Sequence, residues 1–211
     1  MTRDEVVALI QQVLGFRTSL QSTIISNLQF VQIQLESEPE KPWFMISEDS
    51  FTSTSALEER IAVPDDFLQE VEETVLKYVP DDTTAEEVDL VKEDYDTLRA
   101  NYRGSVPGPP EAYALVGNYF RIFPTPDDTY TIRMIYYQKQ AALVSNIENG
   151  WTKYVPYLIA GEAGAIVAAS IGNSSAQMVF GGWTQKGRST IATFNIARDM
   201  ANRNMQVGGS H

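Results

Sequence analysis

Apolar positions recur with two different periods along the chain, and near its start the period is that of a helix. Thr2-Arg-Asp-Glu5 is a capping box, and the apolar positions that follow it end at Gly15. A second stretch runs from about Ser19 to Glu38 with one apolar stripe, formed by Ile24, Leu28, Val31 and Leu35. We therefore predict two amphipathic helices at the beginning of the chain.

The opposite face of the second predicted helix is uncharged and rich in glutamine, with Gln21, Gln29, Gln32 and Gln34. Such a face can belong to an ordinary amphipathic helix in water, or it can contact a neighbouring subunit. The pattern alone leaves both interpretations open.

In the middle of the chain the period falls to two, which is typical of strands. In Asn118–Phe123, Tyr119, Arg121 and Phe123 share one face, and Phe120 and Ile122 share the other. In Thr129–Tyr137 one face carries Tyr130, Ile132, Met134 and Tyr136. Between the two lies Pro124–Asp128, whose prolines and aspartates favour a tight turn. We therefore predict a β-hairpin with an exposed tip at Pro124–Thr129.

Weaker patterns precede this hairpin. Pro42–Ile46 predicts a short buried strand, Glu59–Val63 its partner, and Leu76–Val79 a third strand. The Ser/Thr-rich segment 47–55 predicts a loop. A second capping box at Thr84–Glu87 predicts an acidic helix that reaches about Tyr102.

The last third of the chain again has helical patterns. Pro156 suits the first turn of a helix rich in alanine and glycine, in which Glu162 meets either solvent or a partner subunit's charge. A last helix begins at Ser174 or Ser175 and runs towards Met205, with glycines at 181, 182 and 187 as positions for kinks. Its apolar residues lie on several sides, which favours contact with a partner.

Together these patterns predict a mainly α fold with a small β part. The helical core would comprise residues 1–40 and 152–205, with a β-containing insertion at about 41–150, as one domain over 1–205. Residues 206–211 would be a tail ending in a purification-tag remnant. We expect neither a signal peptide at the N-terminus nor a membrane span, since Val155–Ile171 is too short and too mixed.

Charge is distributed unevenly along the chain, whose net charge is −12. Residues 65–97 contain thirteen acids and two lysines, so this segment accounts for −11. A nucleic-acid binder needs clustered Lys and Arg, and this chain has no such cluster. The acidic segment therefore predicts either an ordinary solvated face or an exposed surface that faces passing DNA or a basic partner.

Residues for chemistry are scarce, because the chain has no cysteine and its one histidine is the terminal His211. This disfavours Ser-His-Asp triads, Cys-His pairs and the usual zinc sites, so we predict no catalytic, cofactor-binding or metal-binding residues. The segment Gly182–Ser189 has Arg188 where a phosphate-binding loop needs lysine. A carboxylate-based cell-wall hydrolase and a soluble ligand-binding domain remain the alternative functions.

The central segment also resembles a known family. Its prolines, tyrosines and glycine form a pattern similar to the head-to-tail adaptor proteins of short-tailed bacteriophages, carried by Pro110, Tyr113, Leu115, Gly117, Pro124, Pro126, Asp127, Tyr130, Tyr136 and Tyr137. Ile61–Phe67 and Leu143–Trp151 also resemble that family, and the likeness spans roughly residues 1 to 205.

The resemblance implies a virion protein at the head–tail junction, assembled in the cytoplasm of the bacterial host. It implies a ring, a dodecamer, that lies beneath the portal protein, joins head to tail, supports tail nozzle and fibre proteins, and continues the DNA channel without specific DNA binding. It implies a structural role without enzyme activity, cofactor or membrane contact.

Two sets of contact residues follow as hypotheses. The last helix, from about Thr190 to Met205, is terminal, basic and apolar on several sides, which suits docking to the portal through Ile191, Phe194, Arg198, Met200 and Arg203. The alternative is that this helix packs on the Ala-rich helix of its own subunit. The hairpin tip would contact tail components or a neighbouring subunit through Pro124, Pro126, Asp127 and Asp128.

Overall fold

The computed structural model describes residues 1–71, 75–79 and 86–208, with all their side chains except those of Asp49 and residues 199–208. The chain forms two compact units. Unit 1 contains Met1–Met45 and the chain from Gln140 onward, and unit 2 contains Ile46–Lys139. That residues 1–205 act as a single domain stays a prediction.

The described residues form six α-helices and nine strands. The helices are α1 (Arg3–Val13), α2 (Gln21–Ser37), α3 (Tyr95–Asn101), α4 (Gly150–Tyr154), α5 (Pro156–Ser170) and α6 (Ser174–Gly208). The strands are β1 (Ile46–Ser53), β2 (Arg60–Ala62), β3 (Phe67–Glu70), β4 (Leu76–Val79), β5 (Val88–Asp89), β6 (Val91–Lys92), β7 (Ala112–Val116), β8 (Tyr119–Phe123) and β9 (Thr131–Gln138).

Unit 1 contains the two helices predicted at the start of the chain. At the capping box, Thr2 Oγ1 accepts a hydrogen bond from Glu5 N at 3.3 Å, and Glu5 Oε2 accepts one from Thr2 N at 2.9 Å. The predicted stripe of α2 is buried at all four positions, Ile24, Leu28, Val31 and Leu35. This stripe packs towards α5, whose first residue is Pro156. These predictions are confirmed.

Helices α5 and α6 pack closely because glycines lie where they meet. A Cβ on Gly161 would lie 2.7 Å from Thr184 N, and one on Gly164 would lie 2.5 Å from the Phe180 ring. A Cβ on Gly187 would lie 2.5 Å from the Cβ of Leu158. Because carbon atoms prefer separations of about 3.5–4.0 Å, no side chain fits at these three positions. The three glycines at which kinks are predicted lie inside α6, which runs unbroken from Ser174 to Gly208.

Unit 2 contains two sheets. In the first, β9 is central and pairs antiparallel with β1, β3 and β4, and β5 pairs with β4. The second has the order β2-β8-β7-β6, in which β6 and β7 are parallel. The described strands thus form one five-stranded and one four-stranded sheet.

Alternating side chains of the two sheets share one core. Phe120 and Ile122 of β8 lie in the same buried cluster as Ile132, Met134 and Tyr136 of β9. The other face of the second sheet packs on α3, with Phe123 against Leu98 and Ala112. The predicted face alternation of both long strands is therefore confirmed.

The predicted fold class is wrong. Nine described strands in two sheets are a substantial β component, so the chain is an α+β protein and not mainly α with a small β part. The predicted hairpin is also wrong, because β8 and β9 belong to different sheets. Period-two patterns predict strands, but they do not identify the strand with which each one pairs.

Three local predictions fail for related reasons. Residues 47–55 are not a loop, since β1 covers Ile46–Ser53 and pairs with β9 through mostly polar positions. Trp43–Met45 is a 3₁₀ turn in place of the predicted strand, and β2 pairs with β8. The acidic helix is limited to α3, which Asp94 caps, because β5 and β6 occupy 88–92. Thr84 of its predicted capping box lies outside the described residues.

Candidate interaction surfaces

The segment predicted to dock to the portal, from about Thr190 to Met205, lies in the second half of α6. Part of this segment contacts the rest of unit 1. The ring of Phe194 lies 4.6 Å from that of Trp43, centroid to centroid, and Asn195 Nδ2 donates a hydrogen bond to Lys41 O at 3.3 Å. Ile191 is half-buried and lines a cavity of about 90 Å³ with Leu35 and other residues. The contacts of Phe194 and Asn195 hold α6 to its own subunit as far as Asn195, through residues that follow α2 and not through the Ala-rich helix α5 of the alternative interpretation.

Apolar area nevertheless remains exposed on this part of α6. Phe194 is 53% and Ile196 is 55% exposed, and Arg198 is half-buried. The side chains of Met200 and Arg203, the other two residues predicted to contact the portal, lie outside the described residues. All five predicted residues therefore lie on one helix, α6, with the side chains of three of them described, and their role stays a prediction.

A charged cluster joins α6 to the other helices of unit 1. Arg188 donates to both carboxylate oxygens of Glu38, at 2.9 and 3.0 Å, and to Glu162 at 2.8 Å. The hydrogen bonds from Glu38 and then Glu162 raise the pKa of Arg188 further above its ordinary value. Glu162 thus has an ion-pair partner within its own chain, which neither sequence interpretation anticipated.

The end of α2 is capped by a lysine. Lys41 Nζ donates to Glu36 O at 2.7 Å and also to Glu38 O. Burial lowers the pKa of Lys41, and the nearby carboxylates of Glu38 and Glu36 oppose that shift. A cation at a helix C-terminus stabilises the unpaired carbonyls there.

Residues 124–129 connect the two sheets of unit 2. Pro124 and Pro126 are buried, whereas Asp127, Asp128 and Thr129 are exposed. Backbone hydrogen bonds hold this connection on both sides: Leu57 N donates to Pro126 O at 2.8 Å, and Gly108 N donates to Thr125 O at 3.0 Å. The expectation of a fully exposed tip is therefore wrong for the prolines.

The exposed aspartates are themselves held in place. The hydroxyl of Tyr130 donates to Asp127, and this hydrogen bond is the main reason that the pKa of Tyr130 rises to about 12. Thr54 Oγ1 donates to the carbonyl of Asp128 at 3.1 Å and accepts from Tyr130 N at 2.8 Å. Thr129 N donates to Asp128 Oδ1 at 2.7 Å. Two adjacent carboxylates thus occupy a fixed position at the surface of unit 2.

Most acids of the acidic segment are exposed where the segment is described. Among its acids, seven have exposed side chains: Asp65, Glu86, Glu87, Asp89, Glu93, Asp94 and Asp96. Several acids are partly neutralised, because Lys77 pairs with Asp89 at 2.9 Å and Arg133 pairs with Glu87 at 3.0 Å. Glu72, Glu73, Asp81 and Asp82 lie outside the described residues.

Sequence reasoning missed exposed apolar residues on two helices of unit 1. Phe30 and Ile33 of α2 are exposed, and so is Met178 of α6. Helix periodicity contained the signal, because Phe30 and Ile33 lie outside the stripe that the core needs. Gln32, which was assigned to the polar face, is instead buried and donates to Ala141 O at 3.3 Å.

Neither a membrane-spanning helix nor a metal-binding cluster is found among the described residues. No helix in those ranges combines the length and hydrophobicity that crossing a bilayer requires. In the same part of the chain, no group of three or more acidic, histidine or cysteine side chains is arranged to hold a metal ion.

An α+β chain with apolar helix surface left exposed is typical of a structural protein that assembles with other subunits. Comparison with protein families gives the particular family. The model of the SU10 adaptor protein family matches residues 1–208, so the chain belongs to that family. It is accordingly a bacteriophage adaptor, a structural component of the virion. None of the curated proteins matches this sequence.

Proposed function

We propose that the protein forms a ring beneath the portal, joins the phage head to the tail, and continues the DNA channel. The observation that carries this proposal is the family match over residues 1–208, which includes every described element. The resemblance of the central segment supports the finer assignment to a head-to-tail adaptor, with twelve subunits as the expected number. The place of action is the head–tail junction, after assembly in the cytoplasm of the bacterial host.

Docking to the portal is assigned to the second half of α6. Ile191 and Phe194 anchor this half to unit 1, and Phe194 and Ile196 leave apolar area for a partner. Arg198 adds a positive charge, which suits an acidic groove. Met200 and Arg203 continue the same contact in the proposal.

Contact with the tail nozzle and fibre proteins, or with a neighbouring subunit, is assigned to the connection between the two sheets. Asp127 and Asp128 supply the exposed charge, and buried Pro124 and Pro126 support it from behind. A fixed pair of carboxylates offers two acceptors to a partner's Arg or Lys.

In the proposal, DNA passes through the ring because the acidic surface repels it and does not bind it. Exposed carboxylates repel phosphates, so an acidic wall lets packaged DNA slide without sticking. The mechanism is surface complementarity, without catalysis, cofactor, metal or membrane.

The test is electron microscopy of the purified protein mixed with purified portal rings from the same phage. We expect ring-shaped density on one end of the portal, with as many copies as the portal has or a simple fraction of them. The matched control is the chain truncated after Ser189, which should stay folded and fail to bind. Wild-type protein that leaves the portal bare would overturn the proposal, and full binding by the truncated chain would move docking elsewhere.

A further inference from the structure

Two stretches of unit 1 carry no charged residue, although the chain contains 16 basic and 28 acidic residues. The first is Thr18–Leu35, which includes most of α2, and the second is Ala163–Gln185, which includes the end of α5 and the start of α6. The water-facing side of a helix is ordinarily charged or polar. Depletion of charge with exposed aromatic and Met residues is instead typical of the core of a protein–protein interface.

The outer face of α2 lies opposite its buried stripe. It consists of Ser22, Ser26, Gln29, Phe30, Ile33 and Ser37, all of them exposed. Phe30 is 58% exposed and Ile33 is 65% exposed, and they protrude among much smaller side chains. This face therefore presents an apolar projection with a short polar rim.

The outer face of α6 is recessed. It lies opposite buried Ala176 and Phe180, and it consists of Ser175, Met178, Gly182, Gln185 and Ser189. Met178 is 74% exposed and stands beside two adjacent glycines, Gly181 and Gly182, which have no side chain to fill the surface.

These two glycines differ from the other glycines of α5 and α6. A Cβ on Gly161, Gly164 or Gly187 would collide with the neighbouring helix, whereas one on Gly181 or Gly182 would meet nothing within 4 Å. Glycine within a helix costs about 0.8–1.0 kcal/mol relative to alanine. Packing within the chain compensates for that cost at the first three positions and does not at Gly181 and Gly182. Close approach by another molecule would compensate for the cost at Gly181 and Gly182.

We propose that the outer face of α2 on one copy of the chain packs against the outer face of α6 on the next, with Phe30 and Ile33 seated over Gly181 and Gly182. The occupant is a second copy because one chain carries both the projection and the recess. Copies with a net charge of −12 repel each other, and two uncharged faces meet without opposing like charges. Contact between two different faces is heterologous, and repeated contacts of this kind generate a ring where the rotation between copies closes. The inference rests on the proposed ring.

The test uses the absence of cysteine from the chain. The double variant Ile33→Cys/Gly182→Cys, treated with a short bismaleimide, should give a ladder of covalent oligomers up to the full ring. Each single variant should give no covalent dimer, and an equal mixture of the two should give covalent dimers only. Ile33→Cys/Val106→Cys, which pairs one face with an exposed residue of unit 2, is the matched control. All reactions are run with the protein alone and on portal rings.

The outcomes separate the inference from the proposed ring. If the wild type forms rings and the double variant gives no ladder, this interface is overturned and the proposed ring is not. Covalent dimers from a single variant would mean that like faces meet, which also overturns it. Wild-type protein that forms no ring, alone or on the portal, would overturn the proposed function as well.

A second variant tests the same contact without cross-linking. Gly182→Ala should raise the urea midpoint of the isolated subunit, since the added methyl group meets open space and favours the helix. The same change should weaken subunit association by about tenfold, because overpacking an interface is unfavourable. Unchanged or tighter association would contradict the proposal.

Discussion

Replacing Gly161 with alanine should destabilise unit 1 relative to the same replacement at Gly181. Both glycines lie inside helices, α5 and α6, and alanine is favoured over glycine there by about 0.8–1.0 kcal/mol. This gain is common to the two variants and cancels in their difference. The variants differ in what the new methyl group meets.

The structure gives the size of that difference. A Cβ on Gly161 would lie 2.7 Å from Thr184 N and Oγ1 and 2.8 Å from Phe180 O, whereas one on Gly181 would have no neighbour within 4 Å. Two of the three obstructing atoms belong to backbone, so α6 as a whole must shift. Overpacking of this kind costs about 1–3 kcal/mol. We expect Gly181→Ala to be more stable than wild type and Gly161→Ala to be about 1–3 kcal/mol less stable than Gly181→Ala.

Tryptophan fluorescence can measure this in unit 1 alone, because the three tryptophans of the chain, Trp43, Trp151 and Trp183, all belong to it. Urea unfolding of both variants is followed at a concentration where the protein is monomeric, and the midpoints are compared at constant slope. A midpoint for Gly161→Ala equal to or above that of Gly181→Ala would refute the argument that α6 passes too close for a side chain.

Three further predictions concern unit 2. Tyr113→Phe leaves Val75 N–H without the hydroxyl that accepts it at 3.2 Å, so urea unfolding should show a loss of about 1–3 kcal/mol; an unchanged midpoint would contradict that contact. The pKa of Tyr113, raised mainly by burial, and that of Tyr130 are both about 12, and the folded state therefore holds these protons more tightly than the unfolded chain. Stability should be full below pH 10 and fall as the pH rises from about 10 to 12, less steeply in Tyr113→Phe; a flat wild-type profile would count against it. Asp127→Lys/Asp128→Lys should keep the wild-type melting temperature and impair tail joining. The control Asp127→Asn/Asp128→Asn separates the effect of losing the charge from that of reversing it. Normal tail joining by the lysine variant would remove this surface from the proposal.

The sequence predicts α1, α2 and α5 of unit 1 well because each has a local signal, either a period or a boundary residue. The capping box at Thr2, the stripe of α2 and Pro156 at the first turn of α5 all act locally, within one helix. The sequence predicts unit 2 less well, because β2, β5 and β6 are two or three residues long and too short to show a period. β1 escapes prediction for a different reason: its Ser and Thr residues give no apolar alternation, and pairing with β9 holds it in place.

The candidate surfaces show the same division between local and long-range information. The helical period alone predicts that Phe194 is one of the apolar residues outside a single core face. The sequence does not predict that Phe194 packs on Trp43, since these two residues are far apart along the chain. Likewise Glu162 has no local signal for its ion pair, because Arg188 reaches it only when α5 and α6 pack together.

The two prolines of the central connection take on a different role once β8 and β9 are separated. In a hairpin, Pro124 and Pro126 would shape an exposed turn and offer their own surface to a partner. In the crossing between two sheets they are buried. The carbonyl of Pro126 accepts a hydrogen bond from Leu57 N, and that of Thr125, between the prolines, accepts one from Gly108 N. Exposed surface is then confined to the residues that follow, where the Asp127 carboxylate accepts from Tyr130 and the Asp128 carboxylate accepts from Thr129 N. A partner that binds this connection must therefore recognise two carboxylates in a set position, and the prolines act by holding them there.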